Sequence, residues 1–145
     1  MKTIYLSFLI IIIPCMLHSQ WDNNSQLEGS GTEEDPYQIT TLEELQNADY
    51  ESNSGESVYF KLMNNIDATE TRNWNVGDHD KDPDTPDEPM GFIPIQGRNF
   101  DFDGNGKVIK NLYMNYPKHT GYDGFFGWMA GNNVRKLGLL NCDMS

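Results

Sequence analysis

The chain has only two cysteines in 145 residues, and one of them, Cys15, lies inside an apolar N-terminal segment. If that segment is cleaved off, Cys142 stands alone and no internal disulfide can form. Basic residues are also scarce: 10 lysines and arginines face 22 aspartates and glutamates, for a net charge of −12. Nucleic-acid binding is driven by basic patches, so this balance argues against such a partner. There is no His-Glu-x-x-His for a metalloprotease centre and no serine or cysteine nucleophile motif. Beyond the first twenty residues no apolar run approaches membrane-spanning length, so no transmembrane segment is expected once a signal is removed. Turn formers are plentiful. Asparagine, glycine and aspartate abound and 12% of residues are aromatic, a composition of short strands joined by turns rather than of disorder.

Lys2, the apolar run Ile4 to Met16 and then Leu17-His18-Ser19 have the layout of a secretory signal. The apolar part is too short to cross a bilayer. Cleavage after Ser19 makes residues 1–19 a signal peptide and predicts a secreted or bacterial cell-surface protein of one-domain length. A competing reading attaches lipid at Cys15, because Ile12-Ile13-Pro14-Cys15 has the outline of a lipobox, with Pro14 where a small residue is usual.

Residues 20–28 are polar and aperiodic, and read as a flexible leader. Residues 29–50 read as an N-terminal cap: Gly29-Ser30-Gly31-Thr32 opens it, Tyr37 and Ile39 alternate as in a strand after Pro36, and a short helix follows. Thr41 at its N-cap and Glu44 three residues later form a capping box, with Leu42 and Leu45 on one face. Val58 to Leu62 reads as a strand, and Ile66 and Ala68 are the next inward pair. The stretch 77–90 is acidic, proline-rich and poor in apolar residues, which predicts a projecting loop. Strand pattern resumes at Gly91. Phe100 and Phe102 point one way and Asp101 and Asp103 the other, before the turn Gly104-Asn105-Gly106.

Ile109, Leu112 and Met114 are echoed by Val134, Leu137 and Leu139, each pair 25 positions apart, as in stacked repeats. Val134, Leu137, Leu139, Cys142 and Met144 are spaced 3, 2, 3, 2. A helix mixes steps of 3 and 4 and a strand takes steps of 2, whereas strand steps broken by a corner residue alternate 3 and 2. Asn65, Asn111 and Asn141 precede inward positions, and asparagine tolerates the left-handed conformation a corner requires. The expected fold is all-β: a right-handed parallel β-helix, or solenoid, with a short N-terminal capping helix. The inward series runs to Met144 with no polar cap, so the coil reads as incomplete at the C-terminus. A pentapeptide-repeat solenoid is the competing coil, since 134, 139 and 144 are five apart; the offset of 25 and the insertion Gly124 to Gly127 argue against it.

Gly124-Phe125-Phe126-Gly127, with Val134 to Leu139 after it and Phe102-Asp103-Gly104-Asn105-Gly106 before it, resembles the GLUG repeat of bacterial secreted and surface proteins. Gly29-Ser30-Gly31-Thr32 with Asp35 to Ile39 is similar to the start of such regions, so the likeness spans most of residues 29–145 and places GLUG-like repeats in 91–145. It implies a right-handed β-helix on large adhesin-like proteins, the repeats also occurring in streptococcal immunoglobulin A peptidases, with no activity of the repeat itself. Phe100 stands where that pattern usually has glycine, and the acidic loop is unusually long.

Asp78, Asp80, Asp82 and Asp84 put carboxylates at every second residue, as calcium loops do. The rest of that motif fails at Pro83 and Pro89, and Lys81 adds a competing charge, so the alternative is a solvated acidic loop. His79 has no second histidine nearby for a transition metal. Asp101 and Asp103 share one strand face, as a glycosidase pair would, but Asp103 is more simply a turn residue bonded to its own backbone. Tyr113, Tyr116, Tyr122 and Trp128 are either a sugar-stacking platform or part of the packed ladder. Cys142, in the inward series, reads as a small buried hydrophobe.

No catalytic residue and no cofactor, calcium apart, is therefore expected. The leading function is a non-enzymatic adhesin-like scaffold that binds a host or surface glycan or protein. The alternatives are a fragment of a polysaccharide-degrading β-helix enzyme and a non-catalytic repeat region of a larger surface peptidase.

Overall fold

The computed structural model describes residues 26–52, 57–77, 84, 86–115, 124–131 and 133–144. Short apolar–polar alternations separated by Gly and Asn make short strands, and the chain carries them through four successive passes. The first pass holds β1 (Tyr37–Ile39) and α1 (Leu42–Ser52). The second holds β2 (Val58–Leu62), β3 (Ile66–Asp67), a 3-10 helix (Thr69–Asn73), β4 (Val76–Gly77), β5 (Glu88–Pro89) and β6 (Ile95–Arg98). The third holds β7 (Phe100–Asp103), β8 (Val108–Lys110), β9 (Tyr113–Met114) and β10 (Phe126–Ala130), and the fourth β11 (Asn133–Arg135), β12 (Gly138–Leu140) and β13 (Asp143–Met144). The class is all-β with one α-helix among the described residues, as the sequence predicts.

Strands of like position in successive passes pair in parallel. β1, β2, β7 and β11 form one sheet in that order, β3, β8 and β12 a second, and β6 with β10 and β9 with β13 two smaller ones. Parallel neighbours need a long connection between them, and here the rest of each pass supplies it. The exception is β4 with β5, an antiparallel pair at the base of the acidic loop. Asp78, His79, Asp80, Lys81, Asp82 and Pro83 of that loop lie outside the described residues.

Alternation sends one side of β2, β6 and β7 inward. Phe60, Phe100, Phe102, Ile109, Leu112 and Met114 are all at most 2% exposed. Phe60 packs on Phe102 with ring centroids 6.3 Å apart, Phe126 reaches Phe102 at 5.5 Å, and Phe92 stacks on Phe125 at 5.4 Å. Phe100, where glycine is usual in the GLUG pattern, fills the same core against Phe60. Each such side chain contributes roughly 1.5–3 kcal/mol by leaving water.

The helix begins as the capping box predicts: Glu44 N donates to Thr41 Oγ1 at 3.2 Å, and Thr41 N to Glu44 Oε2 at 3.0 Å. Leu42, Leu45 and Ala48 are buried. The opposite requirement, pairing the free edge of β6, is met by polar side chains of the helix. Gln46 takes both the N–H of Ile93 (2.8 Å) and its carbonyl (3.0 Å). Asp49 Oδ1 accepts from Gln96 N at 2.7 Å and Ser52 Oγ donates to Gln96 O at 3.1 Å. Thr71 of the 3-10 helix does the same under β9, accepting from Tyr113 N at 2.9 Å. These edges thus have their backbone groups satisfied by side chains and, at β9, also by the main chain of Met90 and Phe92, which blocks pairing with another chain there.

Four expectations are corrected. First, the repeat offset is not 25. Leu139 lies against Ile109 and Met144 against Met114, thirty positions on, while Val134 lies against Phe102. A 3, 2 apolar pattern maps onto itself after five residues, so the sequence alone matches equally well at both offsets. Second, Val134, Leu139 and Met144 occupy core-facing positions but are 36%, 42% and 47% exposed, because their strands have a neighbour on one side only. Cys142 is partly buried against the core. Third, Asn111 and Asn141 are left-handed as expected, with φ of 60° and 52°, but Asn65 is not. Its carboxamide oxygen instead accepts from Val108 N at 2.9 Å. Fourth, the end of the expected leader belongs to the body: Leu27 is buried, and Glu28 O accepts from Gln38 N at 2.8 Å.

Candidate binding cleft on the lateral face

The outward sides of β2, β7 and β11 build the site. With Phe60 and Phe102 turned inward, Tyr59, Lys61, Asp101 and Asp103 must face out. The register sets Tyr59 beside Asp101 and Asp101 beside Asn133, then Lys61 beside Asp103 and Asp103 beside Arg135. Parallel strands lie about 4.8 Å apart, so these side chains form two adjacent rows running across three passes. Glu33 and Pro36, from the loop before β1, wall one end. The rows and this wall enclose an open cleft of about 280 Å³.

Arg135 organises the acidic pair. Its Nη1 bonds Asp101 Oδ1, and its Nε lies 3.2 Å from Asp103 Oδ2. Asp103 Oδ1 also accepts from Asn105 N at 2.8 Å, the expected turn bond. Partial burial pushes the Asp103 carboxyl up, but the Asn105 N–H and the charges of Arg135 and Lys136 outweigh it and hold it below the usual carboxylate range. For Arg135, burial works against the charge and the two carboxylates more than offset it. A glycosidase pair needs one carboxyl kept protonated near neutral pH. Two carboxylates sharing one guanidinium, one of them acidified, supply hydrogen-bond acceptors instead.

A second polar cluster lies between β3 and β8. Asp67 accepts from Thr69 Oγ1 at 2.5 Å and from Asn111 Nδ2 at 3.1 Å, and pairs with Lys110 at 3.0 Å. These bonds, that from Thr69 foremost, put its carboxyl far below the ordinary range. Lys110 and Asn111 belong to the third pass and Asp67 and Thr69 to the second, so this cluster fastens one pass to the next.

Tyr113 and Trp128, two of the four aromatics singled out in the sequence, stand on different strand stacks, under Arg72 at 4.8 Å and Arg98 at 4.4 Å. They form no common platform, and Tyr116 and Tyr122 lie outside the described residues. Of the proposed calcium ligands only Asp84 is described. Among the described residues no three His, Cys, Asp or Glu side chains gather as metal ligands, and no helix is long and apolar enough to cross a membrane. The residues the sequence missed are Tyr59, Lys61 and Arg135. Alternation within Val58 to Leu62 marks Tyr59 and Lys61 as outward, but nothing in one strand tells which other strand supplies its neighbours.

No protein-family model matches the chain. Over 114 residues it is 36% identical to halomucin of Haloquadratum walsbyi (strain DSM 16790 / HBSQ001), which covers 77% of this chain but 1% of halomucin. Its fold is similar to that of a Bacteroides ovatus protein provisionally described as an immunoglobulin A1 protease, with a TM-score of 0.50 and 28% identity, over 79% of this chain and 29% of the other. The chain thus spans less than a third of the solved structure and about a hundredth of halomucin.

Proposed function

We propose that the chain is a stretch of right-handed parallel β-helix of the GLUG-repeat kind, carried outside the cell, that works as a binding scaffold without catalysis of its own. The observation that carries this reading is the parallel stacking of like strands over four passes, which presents rows of outward side chains on a rigid wall. Extended lateral surfaces of that kind suit repeat proteins to binding long ligands. The N-terminal signal pattern and the likeness to halomucin support an extracellular or surface location. Screening the secreted protein on arrays of glycans and extracellular-matrix proteins tests it: specific binding is expected, and binding to none overturns it.

The likeness to the Bacteroides ovatus protein favours a second reading, a non-catalytic repeat region within a larger surface peptidase. Fusing the chain to a peptidase domain would then alter which substrates are cut while leaving cleavage of a small peptide unchanged. The polysaccharide-degrading alternative needs product release from pectin-like or host glycans that Asp101→Asn and Asp103→Asn abolish, and the shared Arg135 guanidinium disfavours it.

A further inference from the structure

We infer that the cleft across β2, β7 and β11 is a binding site for a neutral oligosaccharide, with the Tyr59 ring as stacking platform and Lys61, Asp101 and Asp103 as its hydrogen-bonding rim. This rests on the binding-scaffold reading above and names its site and ligand class.

Three observations lead there. The first is shape. The cleft is open to solvent, at about 280 Å³, and its rows of side chains cross the strands, so an extended chain can lie along them with its end against the wall of Glu33 and Pro36. The second is chemistry. Tyr59 and Pro36 offer apolar surface at one end, and aromatic faces take the C–H side of a sugar ring as they take other flat apolar groups. Asp101 and Asp103 bring planar acceptors already oriented by Arg135, so little side-chain freedom is lost on binding. Lys61 makes no ion pair or hydrogen bond among the described residues and keeps three donors for hydroxyl groups. The third is charge. Glu33, Asp101 and Asp103 face Lys61 and Arg135, and the whole chain carries −12. Uronic acids, sulfated glycans and phosphates are therefore repelled. Hydroxyl-rich neutral sugars, which use donors and acceptors alike, fit the alternation of Lys61 with the two carboxylates.

Affinity electrophoresis of the secreted protein through gels containing mannan, galactomannan or xyloglucan tests the inference, with polygalacturonate as the acidic comparison. At least one neutral polysaccharide is expected to retard migration and polygalacturonate is not. Tyr59→Ala is expected to weaken the retarding interaction at least about tenfold, the scale of losing a central aromatic anchor. Lys61→Gln, an exposed change that leaves the core untouched, is expected to weaken it severalfold with an unchanged circular dichroism spectrum. Trp128→Ala, on another strand stack, is expected to change nothing. Retardation by polygalacturonate alone, or neutral binding indifferent to both Tyr59→Ala and Lys61→Gln, overturns the site. Binding only to proteins on the arrays overturns the site but leaves the scaffold reading standing, while binding to nothing removes both.

Discussion

Asn111 holds φ at 60°, a conformation that costs an ordinary L residue roughly 1–2 kcal/mol. Its carboxamide offsets that cost by donating to Asp67 Oδ1 and Thr69 Oγ1, both at 3.1 Å. Asn111→Ala removes the bonds and keeps the strain, so a loss of about 2 kcal/mol in urea denaturation is expected, and Asn111→Gly, which relieves the strain, should lose less. Asp67 and Asp103 both have carboxyls depressed in the folded state. The unfolded chain therefore binds protons first as pH falls, and stability drops in that direction. The contribution is complete above the ordinary aspartate value of about 3.9 and is lost progressively below it. Urea midpoints measured from pH 6 down to pH 2.5 should fall below about pH 4, less steeply for the Asp67→Asn, Asp103→Asn double variant.

At the scale of elements, α1 shows how polar residues in a helix can be structural. Gln46 is fully buried and grips both backbone groups of Ile93. Gln46→Leu keeps the volume but leaves a partly buried N–H and a partly buried carbonyl of Ile93 unpaired, each costing about 1–3 kcal/mol. A loss of about 3 kcal/mol is expected, read as a lower denaturation midpoint at unchanged slope. The amphipathic pattern marks Leu42 and Leu45 as the buried face, and they are. It cannot mark Gln46, because its partner lies 47 positions away, in the segment leading into β6.

Across the whole molecule, stability should fall from the inner passes to the last one. Ile109 in β8 has a strand on each side and is fully buried, while Leu139, at the equivalent place in β12, has one strand beside it and is 42% exposed. Ile109→Ala should cost about 2–5 kcal/mol, the range for deleting a buried aliphatic side chain, and Leu139→Ala distinctly less. Amide hydrogen exchange should rank the same way, with β7 and β8 more protected than β11, β12 and β13. Equal costs and equal protection would mean that the last pass is covered in solution.

The sequence by itself determined what depends on neighbours in the chain. The alternation of β2 and β7, the capping box at Thr41 and Glu44, the turn bond of Asp103 and the left-handed corners at Asn111 and Asn141 are all set within five residues. So is the all-β class, and with it the outward direction of Asp101 and Asp103. Only the tertiary structure decided which strands meet. The 3, 2 spacing of apolar residues repeats every five positions, so its hydrophobic energy scarcely separates one stacking offset from the next, and close approaches between passes, such as that of Gly104 to the Leu137 backbone, select the register. That register carries Arg135 onto Asp101 and Asp103 and sets Tyr59 and Lys61 beside them. The cleft is a product of stacking, which no single strand encodes.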